Sequence, residues 1–310
     1  MKASKKILIL GCGGMLGEAF YNTFKENYEI RATDIDVNEP WLSNLDVRDY
    51  EAVRSESEEF MPDYIFNLAA LTDLEFCENN PRETYLTNTV GAENGALISE
   101  ELGIPYVFIS TAGIFDGKQA TYDDYDQPFP LSIYGKSKYY AELAIKDICS
   151  EYFIFRAGWM MGGARKDKKF VHKIIKQLEA GEKELHVVTD LKGSPTYTYD
   201  FARNISKMIS TNFYGLYNMT CEGGPTRYDV AREMLIILGL SSEITLTEVD
   251  SNYFIKEYFA PRPESEVLEN LKLKLRNLDE MRAWNVSLKE YLKKDWSHIM
   301  KVNIKSNAVV

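Results

Sequence analysis

Short apolar runs alternate with longer amphipathic stretches along the first half of the chain. Ile7–Leu10, Glu29–Thr33, Tyr64–Leu68, Tyr106–Ile109 and Tyr152–Phe155 read as strands. Met15–Lys25, Tyr50–Phe60, Thr84–Leu102 and Tyr134–Cys149 read as the helices between them. Strands separated by helices of that length predict βαβ units and a parallel sheet. The strands are apolar on both faces, as helices packed on both sides require. After Gly158 the pattern changes. Gly162–Lys169 is glycine- and lysine-rich and reads as a mobile loop. Helices are expected at Phe170–Ala180, Thr198–Ile209, Thr226–Leu238 and Ser287–Val302, and strands at Leu185–Val188, Leu216–Met219 and Ile244–Val249. Ala260-Pro-Arg-Pro263 breaks regular structure, and the tail Asn303–Val310 is expected to be disordered.

The expectation is a Rossmann-type doubly wound parallel α/β sheet over 1–158, with a smaller C-terminal α/β substrate domain over 159–310. The helix and strand near 196–219 are expected to return to the first domain.

Composition narrows the function. With 310 residues and 45% hydrophobic positions, the chain can bury a large core. The net charge of −11 argues against nucleic acid as a partner, because a phosphate backbone needs a basic stripe. The four cysteines and three histidines are scattered, so neither a disulfide framework nor a local metal site is expected. The apolar run after MKASKK is too short for a signal-peptide core, and nothing approaches membrane-spanning length. A cytoplasmic protein with no membrane partner is expected, and a homodimer is allowed.

Two motifs carry chemistry. The run Gly11-Cys-Gly13-Gly14-Met15-Leu16-Gly17 follows a strand and opens a helix, where glycines let backbone approach a pyrophosphate and the helix start favours the anion. Asp34 ends the second strand 17 positions after Gly17, near the offset of an acid that bonds the adenosine ribose. With no Arg or Lys at once after it, NAD(H) is preferred and NADP(H) is the alternative; Asp36 is a second candidate for the role. Asp46 and Val47 are expected to flank the adenine, and Ala69, Ala70 and Leu71 to let the cofactor pass close to the backbone.

The second motif is Tyr134-Gly-Lys-Ser-Lys138. At i and i+4 the Tyr and Lys share a helix face. A nearby ammonium lowers a phenol's pKa and holds a ribose, and the phenol then protonates a carbonyl oxygen. Tyr21 and Lys25 have the same spacing but sit on the phosphate-loop helix and read as a solvated face. Thr111 ends the strand before Tyr134 and is placed to bond the same carbonyl oxygen.

The glycine loop and the Ser110/Thr111–Tyr134–Lys138 set resemble the extended short-chain dehydrogenase/reductases. Further stretches are similar to one branch of them, the dTDP-4-dehydrorhamnose reductases: Asn67–Thr72 with Asp73, Glu78 and Asn88; Ile109–Gly117; Tyr134–Glu142; Arg156–Trp159; Gly193–Thr196; and Ala260–Pro263 with Ser265. The resemblance implies NAD(P)H-dependent reduction of the 4-keto group of a nucleoside-diphosphate 6-deoxyhexose. It implies Tyr134 as proton donor, Lys138 as its partner, and Thr111 tuning the hydrogen bond. Trp159 would pack on the sugar and Arg262 contact the diphosphate. The basic loop 165–169, Lys169 included, reads equally as a diphosphate clamp or a solvated loop. Ala112 lies in the substrate region where the family has an acid, which leaves the sugar open. Ala112-Gly113 also lacks the acid and base of a dehydratase. A 4-epimerase and a non-catalytic dinucleotide-binding regulatory subunit remain alternatives.

Overall fold

The computed structural model describes residues 4–300. In chain order the elements are β1 (Lys5–Leu10), α1 (Gly17–Phe24), β2 (Tyr28–Asp34), β3 (Leu42–Asn44), α2 (Tyr50–Phe60), β4 (Tyr64–Asn67), α3 (Leu74–Asn79), α4 (Pro81–Tyr85), α5 (Gly91–Leu102) and β5 (Tyr106–Thr111). They continue with α6 (Ile133–Ile148), β6 (Tyr152–Ala157), β7 (Trp159–Met161), α7 (Phe170–Glu179), β8 (Glu184–Val188), β9 (Lys192–Gly193), β10 (Pro195–Tyr197), α8 (Thr198–Met208) and β11 (Gly215–Asn218). The last are α9 (Arg227–Leu238), β12 (Thr245–Val249), β13 (Ser265–Glu266), α10 (Leu271–Leu275) and α11 (Trp284–Asp295).

Seven strands form one sheet in the order β11-β6-β5-β4-β1-β2-β3, and every pairing in it is parallel. The order reverses direction at β1 and β4, which is where such sheets open a crevice at their carboxyl ends. Alternation along β1 sends Ile7 and Ile9 to one face and Leu8 and Leu10 to the other. The first pair packs with Phe20 and Phe24 of α1 and Phe201 and Ile205 of α8. The second packs with Val53 of α2, Ala92 and Ala96 of α5, and Ala141 and Ile145 of α6. This is the doubly wound Rossmann-type sheet expected, and β11 does return to it. Three short parallel pairs, β7 with β10, β8 with β12 and β9 with β13, lie outside it.

Several elements differ from the expectations. The helix expected from Met15 starts at Gly17, because Met15 and Leu16 belong to the glycine turn. The single helix expected over Thr84–Leu102 is α4, a π-helical turn at Leu86–Val90, and α5. The wide turn aims Asn88 at the 69–72 segment, and such turns recur at functional sites. Strand β3 and helix α3 are too short for periodicity to reveal. Gly162–Lys169 is not free: Lys166 Nζ donates to Asn38 Oδ1 (2.9 Å), and the Asp167 carboxylate accepts from Tyr291 Oη (2.9 Å). Helix α11 begins at Trp284 and stops at Asp295, ahead of a 3₁₀ turn at Ser297–Ile299. Val302 and the tail 303–310 lie outside the described residues. Among the described residues no helix is long and apolar enough to cross a membrane, and no three His, Cys, Asp or Glu side chains group as metal ligands.

Candidate active site

The glycine loop sits where β1 meets α1, at the carboxyl edge of the sheet. A Cβ on Gly17 would stand 1.6 Å from the Cys12 carbonyl oxygen, so only glycine lets the helix start against the loop. A Cβ on Gly11 would stand 2.4 Å from the Ala69 backbone. Gly14 instead is exposed and faces open space, its nearest heavy atom being the Gly11 oxygen at 3.9 Å. Next to it, Met15 and Leu16 complete the turn. The loop is therefore a backbone cradle that is closed toward the sheet and open at Gly14, and it fits a pyrophosphate. Asp34 lies beside it: Oδ2 accepts from Gly13 N (2.8 Å) and Oδ1 from Asp36 N (2.9 Å).

Farther along the edge, Asp46 is held bidentately by Arg48, whose Nε donates to Oδ1 (2.9 Å) and Nη2 to Oδ2 (2.6 Å), which keeps its carboxyl below the usual range. Val47 is buried, and its carbonyl accepts from Asn94 Nδ2 (2.9 Å). The stretch Ala69–Leu71 is pinned from both sides. Ala69 N donates to Asn67 Oδ1 (2.9 Å) and Leu71 N to Asn88 Oδ1 (2.7 Å). Asn88 Nδ2 reaches Ser137 Oγ (3.0 Å), which ties this stretch to α6.

The start of α6 is fixed by three contacts. Ser132 Oγ accepts from Gly135 N (3.0 Å) as an N-cap, and Glu78 Oε1 accepts from Ile133 N (2.7 Å). A Cβ on Gly135 would lie 2.2 Å from the Gly113 carbonyl oxygen, so glycine there lets α6 close on the turn after β5. That approach brings Tyr134 beside Thr111, whose hydroxyl favours the ionised phenol. Burial works the other way and pushes the Tyr134 phenol up to about 12. The net shift is upward, against the lowering expected from Lys138, because desolvation outweighs the Thr111 contact.

Lys138 is buried, with its ammonium 3.9 Å from the Phe108 ring centroid. Burial pushes it down to about 7, and Glu142 opposes that shift. Tyr134, Lys138 and Glu142 fall at i, i+4 and i+8 on one face of α6. Glu142 in turn pairs with Arg156 through two buried bonds (2.9 and 2.7 Å). The spacing alone could have revealed Glu142. Tyr21 and Lys25 make no such constellation: Tyr21 stacks on Trp41 at 4.2 Å, and Lys25 donates to Asn22 Oδ1 (2.7 Å).

Opposite Thr111 stand residues from beyond Gly158. Trp159 Nε1 donates to Glu266 Oε2 (2.7 Å), and the Arg227 guanidinium lies 3.5 Å from the Trp159 ring centroid. One face of the indole is thus covered by Arg227. Arg262 pairs with Glu75 of α3 (2.7 Å) and donates to the Ala260 carbonyl (2.9 Å). Lys169 Nζ donates to the Thr72 carbonyl (2.9 Å) rather than standing free, and burial lowers its pKa. Ala112 is buried with Ile114, Phe115, Tyr122 and Leu268, so its methyl belongs to a core cluster instead of the cleft. Sequence reasoning missed Glu266 and Arg227, since neither sits in a motif with recognisable spacing.

The model of the RmlD substrate binding domain family matches residues 5–296. The spore coat polysaccharide biosynthesis protein SpsK of Bacillus subtilis is 33% identical over 93% of this chain and 96% of its own. A dTDP-4-dehydrorhamnose reductase from Clostridium acetobutylicum superposes with a TM-score of 0.85 at 34% identity, over 93% of this chain and 98% of that one. The dTDP-4-dehydrorhamnose reductase of Bacillus anthracis, solved in complex with NADP, superposes with a TM-score of 0.85 at 28% identity, over 94% and 99%.

Proposed function

The chain belongs to the RmlD substrate binding domain family, and we propose that it reduces the 4-keto group of a nucleoside-diphosphate 6-deoxyhexose with NAD(P)H. The observation that carries the reading is the convergence of Thr111, Tyr134 and Lys138 on β5, which only β4 separates from the strand that ends in the glycine cradle. In this reading Gly11, Gly13, Gly14, Met15, Leu16 and Gly17 hold the pyrophosphate of the dinucleotide. Asp34 takes the adenosine ribose, Asp46 and Val47 flank the adenine, and Ala69–Leu71 line the path toward the nicotinamide. The bound dinucleotide supplies the two-electron reduction at the carbonyl carbon.

The protein's part is acid catalysis and positioning. Tyr134, kept protonated by its raised pKa, gives its proton to the carbonyl oxygen as negative charge develops there. Thr111 orients that oxygen through its hydroxyl. Lys138 holds the adjoining ribose and favours the phenolate that remains. Trp159, Lys169, Arg227 and Arg262 border the sugar and diphosphate; three cations there suit an anion despite the overall charge of −11. Residues 1–158 with β11 form the dinucleotide-binding unit and 159–310 mainly the substrate-binding one, both in the cytoplasm. A homodimer belongs to the same reading, because α5 and α6 leave Leu97, Leu102, Tyr140 and Leu143 exposed.

The test is consumption of NADH or NADPH on a dTDP-4-keto-6-deoxyhexose, with and without a 3,5-epimerase. Turnover is expected, falling about 10²–10⁴-fold in Tyr134→Phe. Cofactor retained through purification with no net consumption would favour a 4-epimerase. Full biological activity in Tyr134→Phe would favour a regulatory subunit.

A further inference from the structure

Glu266 is held in place by more than its surroundings need. Its backbone lies in the short β9–β13 ladder, registered against Gly193. Its Oε2 accepts the Trp159 indole N–H at 2.7 Å. Arg227, Arg262 and Lys169 all favour its ionised form, yet none comes close enough to form an ion pair with it. Its second oxygen, Oε1, makes no hydrogen bond to any described residue and faces Gly113. Oε1 is not shut away from solvent, so the carboxylate has one oxygen fixed by the indole and one open to a ligand.

The free oxygen borders the site of reaction. The position a Cβ would take on Gly113 lies 3.4 Å from Glu266 Oε1 and 3.5 Å from Thr111 Oγ1. The two oxygens therefore flank one small gap, which exists because residue 113 has no side chain. The same charge is felt at Tyr134. A ligand whose carbonyl oxygen reaches Thr111 and Tyr134 would present its neighbouring substituent to Oε1. In a 4-keto-6-deoxyhexose the carbons beside C4 are C3, which carries a hydroxyl, and C5, which carries the methyl and the ring oxygen. Only the 3-hydroxyl can donate there.

We propose that Glu266 accepts a hydrogen bond from the hydroxyl beside the reacting carbonyl, the 3-hydroxyl of the ketosugar, and so sets which sugars the site takes. This rests on the reductase reading. Trp159 is a positioning residue here: its indole N–H aims the carboxylate, and Arg227 covers its face.

The experiment compares wild type, Glu266→Gln, Glu266→Ala and Gly113→Ala on a nucleoside-diphosphate 4-keto-6-deoxyhexose and on its 3-deoxy counterpart. Wild type is expected to prefer the hydroxylated sugar by about ten- to a hundredfold in kcat/KM. Both Glu266 variants lose most of that preference through the hydroxylated sugar alone, while kcat/KM on the 3-deoxy sugar moves less than about threefold. Gln keeps an acceptor for Trp159 but turns an NH₂ toward the gap. Gly113→Ala, whose methyl fits at ordinary contact distances, fills the gap and lowers kcat/KM for the hydroxylated sugar. An unchanged preference, or equal losses on both sugars, overturns the proposal while leaving the reductase reading intact. Failure of wild type to reduce either sugar overturns the reductase reading and this inference with it.

Discussion

The Lys138 ammonium lies 3.9 Å from the centroid of the Phe108 ring, buried beneath the site, with Glu142 one turn farther along α6. A ring face stabilises a cation only in part, and burial prevails, so the ammonium loses its proton near pH 7.

That gives a pH dependence with a definite sign. Tyr134 stays protonated across the neutral range, since its phenol is held up to about 12. Lys138 becomes neutral as the pH rises through about 7. The kcat/KM for reduction should therefore fall on the alkaline side of about pH 7, and Lys138→Met should be slower and lack that limb. The same group affects stability. Between about 7 and its ordinary 10.5, the unfolded chain binds a proton that the folded chain does not, so this lysine makes stability rise with pH across that window. Melting temperatures of wild type and Lys138→Met across pH 6–10 would show the difference in slope.

The glycine cradle separates folding from binding. Gly17→Ala drives a methyl into the Cys12 carbonyl and should cost at least about 3 kcal/mol, read by denaturant unfolding. Gly14→Ala meets only the Gly11 carbonyl oxygen, at an ordinary contact distance of 3.9 Å, and should change stability by less than about 1 kcal/mol. It should still weaken dinucleotide binding at least about tenfold in titration calorimetry, because its methyl occupies the open cradle. Equal behaviour of the two variants would contradict the cradle geometry.

On the proposed reading, cofactor choice is expected to turn on two residues from distant parts of the chain. Asp34 supports Gly13, and Lys166 reaches Asn38 (2.9 Å) and Glu39 (2.8 Å) nearby. Asp34→Ala should raise the kcat/KM ratio of NADPH to NADH at least about tenfold by removing repulsion of a 2′-phosphate. Lys166→Ala should lower NADPH use more than NADH use. An unchanged ratio in both would place the ribose elsewhere.

The Glu142–Arg156 pair is a support that catalysis does not touch directly. Glu142→Ala leaves a buried guanidinium without its carboxylate and should cost about 3–5 kcal/mol. It also removes the group that favours the Lys138 ammonium, so any limb in the pH profile should move to lower pH. A stable variant with an unmoved limb would mean that water replaces the carboxylate.

The sequence by itself determined the parts of this protein that are local. Strand length, two-faced apolarity and helix spacing specified the parallel sheet, because a βαβ unit writes its period into neighbouring residues. The glycine spacing marked a loop whose backbone must approach both Cys12 and Ala69, and the i, i+4 pair marked the face of α6. Boundaries set by turns rather than periods were less legible, as with the π-helical turn at Leu86–Val90 and the strand β3. What only tertiary structure decided is what meets across the cleft. No local rule joins Glu266 to Trp159, 107 positions away, or Lys166 to Asn38, 128 positions away. The absence of an acid at Ala112 looked, in the sequence, like a missing carboxylate. The fold buries that methyl in a core cluster and brings a carboxylate to Gly113 from β13 instead. Charge in a cleft depends on which side chains converge in space, and convergence between distant segments leaves no period or spacing along the chain.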